Sequence, residues 1–157
     1  MRRFHSGRLR WVSLPLNSGS QSLPNNVGIR LARGKYIAYL GHDDIWAPDH
    51  LEAIHAHAAE QQADFVVSGC VYHGPPESDF ELVTGLFDDP QASLLHFFPP
   101  TSLAHRRDVS ERIGGWNDPS VIRAPVDSDF LLRAAHAGLR FVSTGRITAH
   151  KFAAGHR

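Results

Sequence analysis

The sequence predicts an α/β domain: a mostly parallel sheet flanked by helices. Three observations predict it. Strand-like and helix-like segments alternate along the chain. A strand, a helix and a second strand fit between residues 9 and 40, the length of a βαβ unit with its right-handed crossover. The run KYIAYL (35–40) is apolar on both faces apart from Lys35 and the tyrosine hydroxyls, as a central parallel strand is.

The elements follow in order. LRWVSL (9–14) reads as the first strand. After the polar NSGSQS, Pro24 stands near a helix start, Leu23, Val27 and Leu31 form an i, i+4, i+8 stripe, and Gly34 stands where a glycine stop belongs. KYIAYL follows as a strand. Pro48 and Asp49 open a second helix reaching about Gln62, with Leu51, Ile54 and Ala58 inward. DFVVSGCVY (64–72) is the next strand, and HGPPESD a loop. In the second half, ELVTGLF (81–87) and SLAHRR read as strands, ASLLHFF (92–98) and DVSERIGG as short helices, and DPSVIRAP as a loop. DSDFLLRAAHAG (127–138) is a helix capped by Asp127 or Ser128, with Leu131, Leu132 and Ala135 inward and Gly138 as its stop. LRFVS and RITAH close the chain as strands.

Composition narrows the function classes. A length of 157 residues fits one domain, and no linker divides it. Hydrophobic content of 42% with 20% charged residues is ordinary for a folded chain. The formal net charge of zero offers no bulk electrostatic case for nucleic acid or an anionic membrane. Cys70 has no internal disulfide partner and no CxxC offers zinc a site, which fits a reducing, cytoplasmic compartment. No apolar run approaches the 18 residues of a membrane span, and the opening MRRFHSGRLRW lacks the apolar core of a signal peptide.

The chemistry concentrates in LGHDDIWAPDHLE (40–52). Asp43 and Asp44 stand just beyond the carboxyl end of the 35–40 strand, where open α/β sheets bind their ligands. Adjacent carboxylates repel, and a hard divalent cation such as Mg²⁺ or Mn²⁺, shared with substrate phosphates, would relieve them. A solvated turn before the helix at Pro48 is the other reading of the same spacing.

Four segments together resemble family 2 glycosyltransferases. ARGKYIAYLGHDDIWAPDHLE resembles their metal-binding segment. NSGSQSLPNNVGIRLA resembles their N-x-G…N-x-G stretch, through Asn17, Gly19, Asn26 and Gly28. SLAHRRDVSERIGGWND resembles their R-R…G-G-[FW] stretch, and VDSDFLLRAAHAGLRFVSTG their E-D-x-D…R segment. Each is weak alone, and four in the right order are specific. The match covers about residues 9–150.

The resemblance implies a GT-A (Rossmann-like) fold that transfers a sugar from a nucleotide-diphosphate donor to an acceptor hydroxyl. It implies Asp43 as the foremost ligand of Mn²⁺ or Mg²⁺, Asp44 as the second, and His150 as a further one. Asp127 takes the place of the general base, although from spacing alone it is a helix cap worth about 1 kcal/mol. His42, Asn26, Asp129 and Trp116 become candidate substrate contacts, with Trp116 either stacked on an acceptor sugar or in the core. A metal would neutralise charge on the departing diphosphate, a carboxylate would take the acceptor proton, and one displacement would invert the anomeric centre. The acceptor is a saccharide, a lipid-linked molecule or a protein; a lipid-linked one would place the enzyme at the inner face of a membrane.

Three departures qualify the match. Gly41 replaces the first acid of D-x-D, and His42 offers a nitrogen that suits Mn²⁺ better than Mg²⁺. Val126 replaces the glutamate of E-D. The family has two further βα units before the segment matched here, so the resemblance implies one partial GT-A domain over 1–157, incomplete at its N-terminus. Its metal-site half spans 9–73 and its acceptor-side half 74–157. An open sheet edge able to pair with another chain is then expected. A degenerate, non-catalytic binding module and, less favoured, a nucleotidyltransferase are the competing readings.

Other features carry less. His50 and His57 share a helical face but lie about 10 Å apart along it, His55 lies off that face, and all three read as exposed. Gly28…Gly34-Lys35 mimics a P-loop but has one residue too many and no Ser/Thr. Asp88-Asp89-Pro90 reads as a turn. Arg106 and Arg107 either meet a phosphate or sit on a solvated surface.

Overall fold

The computed structural model describes residues 9–75, 77–88 and 98–152. Within them lies one six-stranded sheet with helices on both faces. The elements are α1 (Ser22–Leu31), β1 (Tyr36–Ala38), β2 (Asp44–Trp46), α2 (His50–Gln61), β3 (Phe65–His73), β4 (Glu81–Thr84), β5 (Leu103–Arg106), α3 (Val109–Ile113), α4 (Val126–His136) and β6 (Phe141–Phe152). Short 3₁₀ turns occupy Pro100–Ser102 and Pro119–Val121.

The sheet order is β1-β5-β3-β6-β2, with β4 beside the second half of β3. β3 is the centre. Its Phe65, Val66 and Val67 are 0% exposed, so both faces of this strand are covered. Alternate residues serve alternate faces. Phe65 and Val67 join Leu103, Phe141 and the inner residues of α4, Phe130, Leu131 and Ala134, in one core. Val66, Ala104 and Val142 pack with Ile54 and Ala58 of α2 in the other. The Phe65 ring lies between Phe141, stacked at 4.5 Å, and Phe130, edge-on at 5.9 Å. Such aromatic layers bury large areas and fix how α4 lies on the sheet.

The α/β class holds, but the sheet is mixed rather than mostly parallel. Only β3 and β6 run parallel; the other pairings among the described residues are antiparallel. The 35–40 run forms β1, but it pairs antiparallel with β5 instead of occupying the centre. Residues 9–14 form no strand: Leu9 and Trp11 are 64% and 88% exposed, and without a ladder or a face to bury the segment has nothing to hold it extended. The βαβ unit expected over 9–40 is therefore absent. Asp44, expected in a turn, begins a strand of its own. LRFVS and RITAH merge into the single, bulged β6.

Helix positions agree with the sequence better than helix faces. In α1 the buried apolar residue is Ile29, while Leu23 and Leu31 are exposed. In α2 Leu51 is exposed and His50 is buried instead, stacked on Trp46 at 4.5 Å and bonded to the Thr148 hydroxyl at 2.8 Å. In α4 Leu132 is exposed and Phe130 is the anchor; Pro125 occupies the cap position, and Gly138 takes the left-handed conformation of a stop (φ +69°). The helix expected over 92–98 lies outside the described residues except for Phe98, as do Asp89 and Pro90 of the expected turn. Among the described residues no helix is long and apolar enough to cross a membrane.

Candidate active site

The register of β2, β6 and β3 builds the site. Asp44 pairs with Lys151, and Lys151 pairs with Tyr72. Directly paired residues project from the same face, so these three form one row across the sheet. The Asp44 side chain is 3% exposed, and Lys151 Nζ lies 3.5 Å from its Oδ1. That oxygen is buried and makes no hydrogen bond, so the contact is an ion pair alone. The Tyr72 hydroxyl is buried and, among the described residues, also has no hydrogen-bond partner.

Electrostatics ties the row to α4. Burial raises the Tyr72 phenol above its ordinary value, and the charges of Cys70, Asp127 and Asp44 push the same way. Burial, then Asp44, pushes the neighbouring Cys70 thiol up to about 12, with Lys151 acting against them. Asp44 and Asp127 stand 83 residues apart in sequence, yet both act on one hydroxyl. Asp127 lies in the first turn of α4, where helix N–H groups favour a carboxylate, and its Oδ1 accepts from the Ser128 N–H at 2.9 Å.

The turn before β2 gathers a second carboxylate. A Cβ placed on Gly41 would lie 2.5 Å from Asp44 Oδ2 and 3.2 Å from Asp43 Oδ1. The two acids thus converge on the open side of the glycine that replaces the family's first aspartate. His42 Nδ1 is 3.5 Å from Asp43 Oδ1, with its side chain in solvent. Among the described residues no three His, Cys, Asp or Glu side chains come together as a metal set. Two converging carboxylate oxygens still fit the chemistry of Mg²⁺ or Mn²⁺ sites that are completed by water and substrate phosphates.

His150 is not brought to this point. It neighbours Lys151 on an extended strand, so it projects from the opposite face. There its Nδ1 lies 3.0 Å from His73 Nε2, and His73 Nδ1 lies 3.2 Å from Glu81. A ligand set of Asp43, Asp44 and His150 is therefore not what the fold assembles.

Three expected substrate contacts belong to the scaffold instead. Asn26 donates to the Trp116 carbonyl and accepts from the Trp116 N–H, both at 2.8 Å, clamping α1 to the loop before α4. Trp116 is 3% exposed, its ring stacked on Phe130 at 4.7 Å, so it offers no platform to a sugar. Its indole N–H donates to Tyr39 at 3.2 Å. Asp129 accepts from Asn117 at 3.0 Å and Arg133 at 2.9 Å, and Arg133 also donates to the carbonyls of Ile113 and Gly115. Arg106 is bound to Asp108, and Arg107 donates to the Ala32 carbonyl.

Tyr72 and Lys151 escaped the sequence reading. Their only signal was alternation: Cys70 and Tyr72 share a face in DFVVSGCVY, and Lys151 follows RITAH as if the strand continued.

The model of the glycosyl transferase family 2 matches residues 5–115. The chain belongs to that family. Among curated proteins it resembles poly(ribitol-phosphate) beta-N-acetylglucosaminyltransferase TarP of Staphylococcus aureus (strain N315), 29% identical over 63 residues, 40% of this chain and 19% of TarP. Among solved structures it resembles S. aureus TarS 1-349, at TM-score 0.68 and 19% identity over 88% of this chain and 42% of that one. The complex of TarS 1-349 with UDP-GlcNAc gives TM-score 0.71 at 16% identity, over 92% of this chain and 42% of that one. At these identities the TarS structures show a shared fold. The family 2 chain described here spans less than half the length of each of these relatives.

Proposed function

We propose that this family 2 chain carries the metal-site and acceptor-side part of an enzyme that moves a sugar from a nucleotide-diphosphate donor to an acceptor hydroxyl. One observation carries the reading: in a family 2 chain, the Asp43 and Asp44 carboxylates converge on the bare side of Gly41 at the start of β2. TarP and TarS make UDP-GlcNAc the first donor to test and a hydroxyl of a polyol-phosphate polymer the first acceptor.

The roles follow from position. Asp127 takes the proton of the acceptor hydroxyl as the new bond forms. A carboxylate held at a helix N-terminus by one backbone N–H keeps an oxygen lone pair for that proton. Asp43 and Asp44 would hold a divalent cation against the donor diphosphate, with Lys151 balancing part of their charge. When bound, that cation supplies neutralisation of the charge growing on the leaving diphosphate. Attack from the Asp127 side, opposite the diphosphate, makes a single displacement and inverts the anomeric carbon.

Transfer assays on the wild-type protein, Asp43→Ala and Asp127→Ala test the reading. Loss of transfer in both, with the folded state retained, supports it; retained transfer in either removes that residue's role. Gly41 and Val126, where the family has acids, favour a second reading as a binding module without turnover. Mn²⁺-dependent binding of UDP-GlcNAc with no product from any acceptor would select the module. Release of pyrophosphate in place of a nucleoside diphosphate would mark a nucleotidyltransferase.

A further inference from the structure

The formal net charge of zero hides a separation of charge. Lys35 precedes the amino end of β1, while Asp43 and Asp44 follow its carboxyl end. Around Lys35 the fold gathers further cations. The Arg107 guanidinium donates to the Ala32 carbonyl at 3.3 Å, next to Arg33, and the Arg107 N–H donates to the Lys35 carbonyl at 2.9 Å. Arg30, in the last turn of α1, lines one hollow with Ser110 of α3. Arg140 is tied in through Asp64, whose Oδ2 accepts from its N–H at 2.9 Å. Asp64 and Asp108 are already neutralised, by Arg112 at 2.6 Å and Arg106 at 2.7 Å. Among the described residues Arg30, Arg33, Lys35, Arg107 and Arg140 form no ion pair, and all are exposed. Glu60 and Glu111 are the acids left to oppose them at this end, so the surplus is positive.

Apolar side chains stand among these cations. Leu31 lies between Arg30 and Arg33 and is 40% exposed, and Trp11, beside Arg10, is 88% exposed. Leu9, Arg10, Trp11, Leu31 and Arg33 border one hollow of about 940 Å³. A soluble polyanion would engage the cations and leave tryptophan and leucine in water, whereas the interface of a bilayer takes both kinds of side chain. We propose that this basic end of the sheet is a docking surface for an anionic membrane, with Arg30, Arg33, Lys35 and Arg107 at the lipid phosphates and Trp11 and Leu31 at the boundary of the acyl chains. The attraction acts within about 10 Å at 0.1 M salt, so a local surplus of charge suffices although the whole chain is neutral. Docked this way, the 41–44 turn at the other end of β1 faces away from the lipid and stays open to ligands from water. The docking surface is independent of the sugar-transfer reading.

Cosedimentation with lipid vesicles tests it. Wild type and the combined substitution Arg30→Gln, Arg33→Gln and Lys35→Gln are spun with vesicles of phosphatidylcholine alone and of phosphatidylcholine with one-third phosphatidylglycerol. Wild type is expected to pellet with the phosphatidylglycerol vesicles at low salt, to be released by ~0.5 M NaCl, and to ignore phosphatidylcholine alone. Removal of the three cations is expected to weaken partitioning about 10²-fold, roughly fivefold for each. Those side chains are exposed and in no ion pair, so the melting temperature should not move. Should the combined variant lose its fold, Arg30→Gln and Arg33→Gln are read singly. Trp11→Ala is expected to lower vesicle partitioning and leave binding to soluble polyphosphate unchanged. No pelleting of wild type with phosphatidylglycerol vesicles, equal pelleting with phosphatidylcholine alone, or equal pelleting of the folded variant would overturn the assignment. Binding to polyphosphate without any binding to vesicles would overturn it in favour of a soluble polyanion.

Discussion

The polar groups around Trp116 and those in the Asp44–Lys151–Tyr72 row are both buried, and the protein treats them in opposite ways. Around Trp116 the bonds close. The indole donates to Tyr39, the Tyr39 hydroxyl meets His105 Nε2 at 2.6 Å, and His105 Nδ1 meets the Arg106 carbonyl at 2.7 Å. Since Nδ1 must donate to a carbonyl, Nε2 accepts, and one proton order satisfies the chain. In the other row Asp44 Oδ1 and the Tyr72 hydroxyl stay unbonded. Closed networks specify a fold, whereas an unbonded buried polar group costs it stability. Trp116, which the sequence left between a sugar contact and the core, lies in the core.

The largest test of this contrast is Asp127→Asn. On the open side it should cut sugar transfer by about 10²- to 10⁴-fold while moving the melting temperature little, because only the Ser128 N–H bond is involved and an amide oxygen can keep it. A large loss of stability with modest loss of rate would put Asp127 with the closed network.

Acid should weaken the closed side next through His105, and the rest of the fold through His50, which stacks on Trp46 outside that network. Burial pushes both His50 and His105 down to about 4 from 6.5, and their hydrogen bonds and neighbouring acids, Asp49 and Asp108, only partly oppose it. The unfolded chain therefore binds these protons first. Stability is fully present above pH 6.5 and is lost as pH falls toward about 4. Linkage gives a loss on the order of 2 kcal/mol per histidine by pH 5. Urea unfolding at pH 7 and pH 5 measures it, and equal midpoints would show that neither imidazole is held neutral.

Asn26→Ala comes third. It strands the Trp116 N–H and carbonyl together, so a loss of about 2–3 kcal/mol is expected, seen as a melting temperature lower by roughly 5–10 °C. An unchanged melting temperature would mean that the clamp between α1 and the 114–116 loop contributes nothing. Arg106→Ala is the smallest and sets the baseline. Its partner Asp108 and its own side chain are 39% and 38% exposed, so solvent screens the pair and the expected change is under about 1 kcal/mol. A larger effect would extend the closed network to the surface.

How far the sequence could be read depends on the kind of signal. Helix positions were legible because caps, prolines and glycine stops are local: Gly138 ends the last helix as its position implied. Helix faces were less so. Leu132 and Leu51 match an apolar period as well as Phe130 and Ile54 do, and only the placement of the sheet selects between them. Strand direction was not legible, because KYIAYL is apolar enough for a parallel or an antiparallel neighbour, and β5 supplied the antiparallel one. The acidic turn was found by its type and place; its convergence on the bare side of Gly41 was not.

By itself the sequence determined the α/β class, the glycosyl transferase family and the acids to examine, since composition, local stops and ordered motifs are properties of the chain read in line. Only the tertiary structure decided which side chains share a face. It carried His150 away from Asp44 and put Lys151 and Tyr72 beside it, because successive residues of a strand project to opposite sides and register, not sequence distance, chooses the partners.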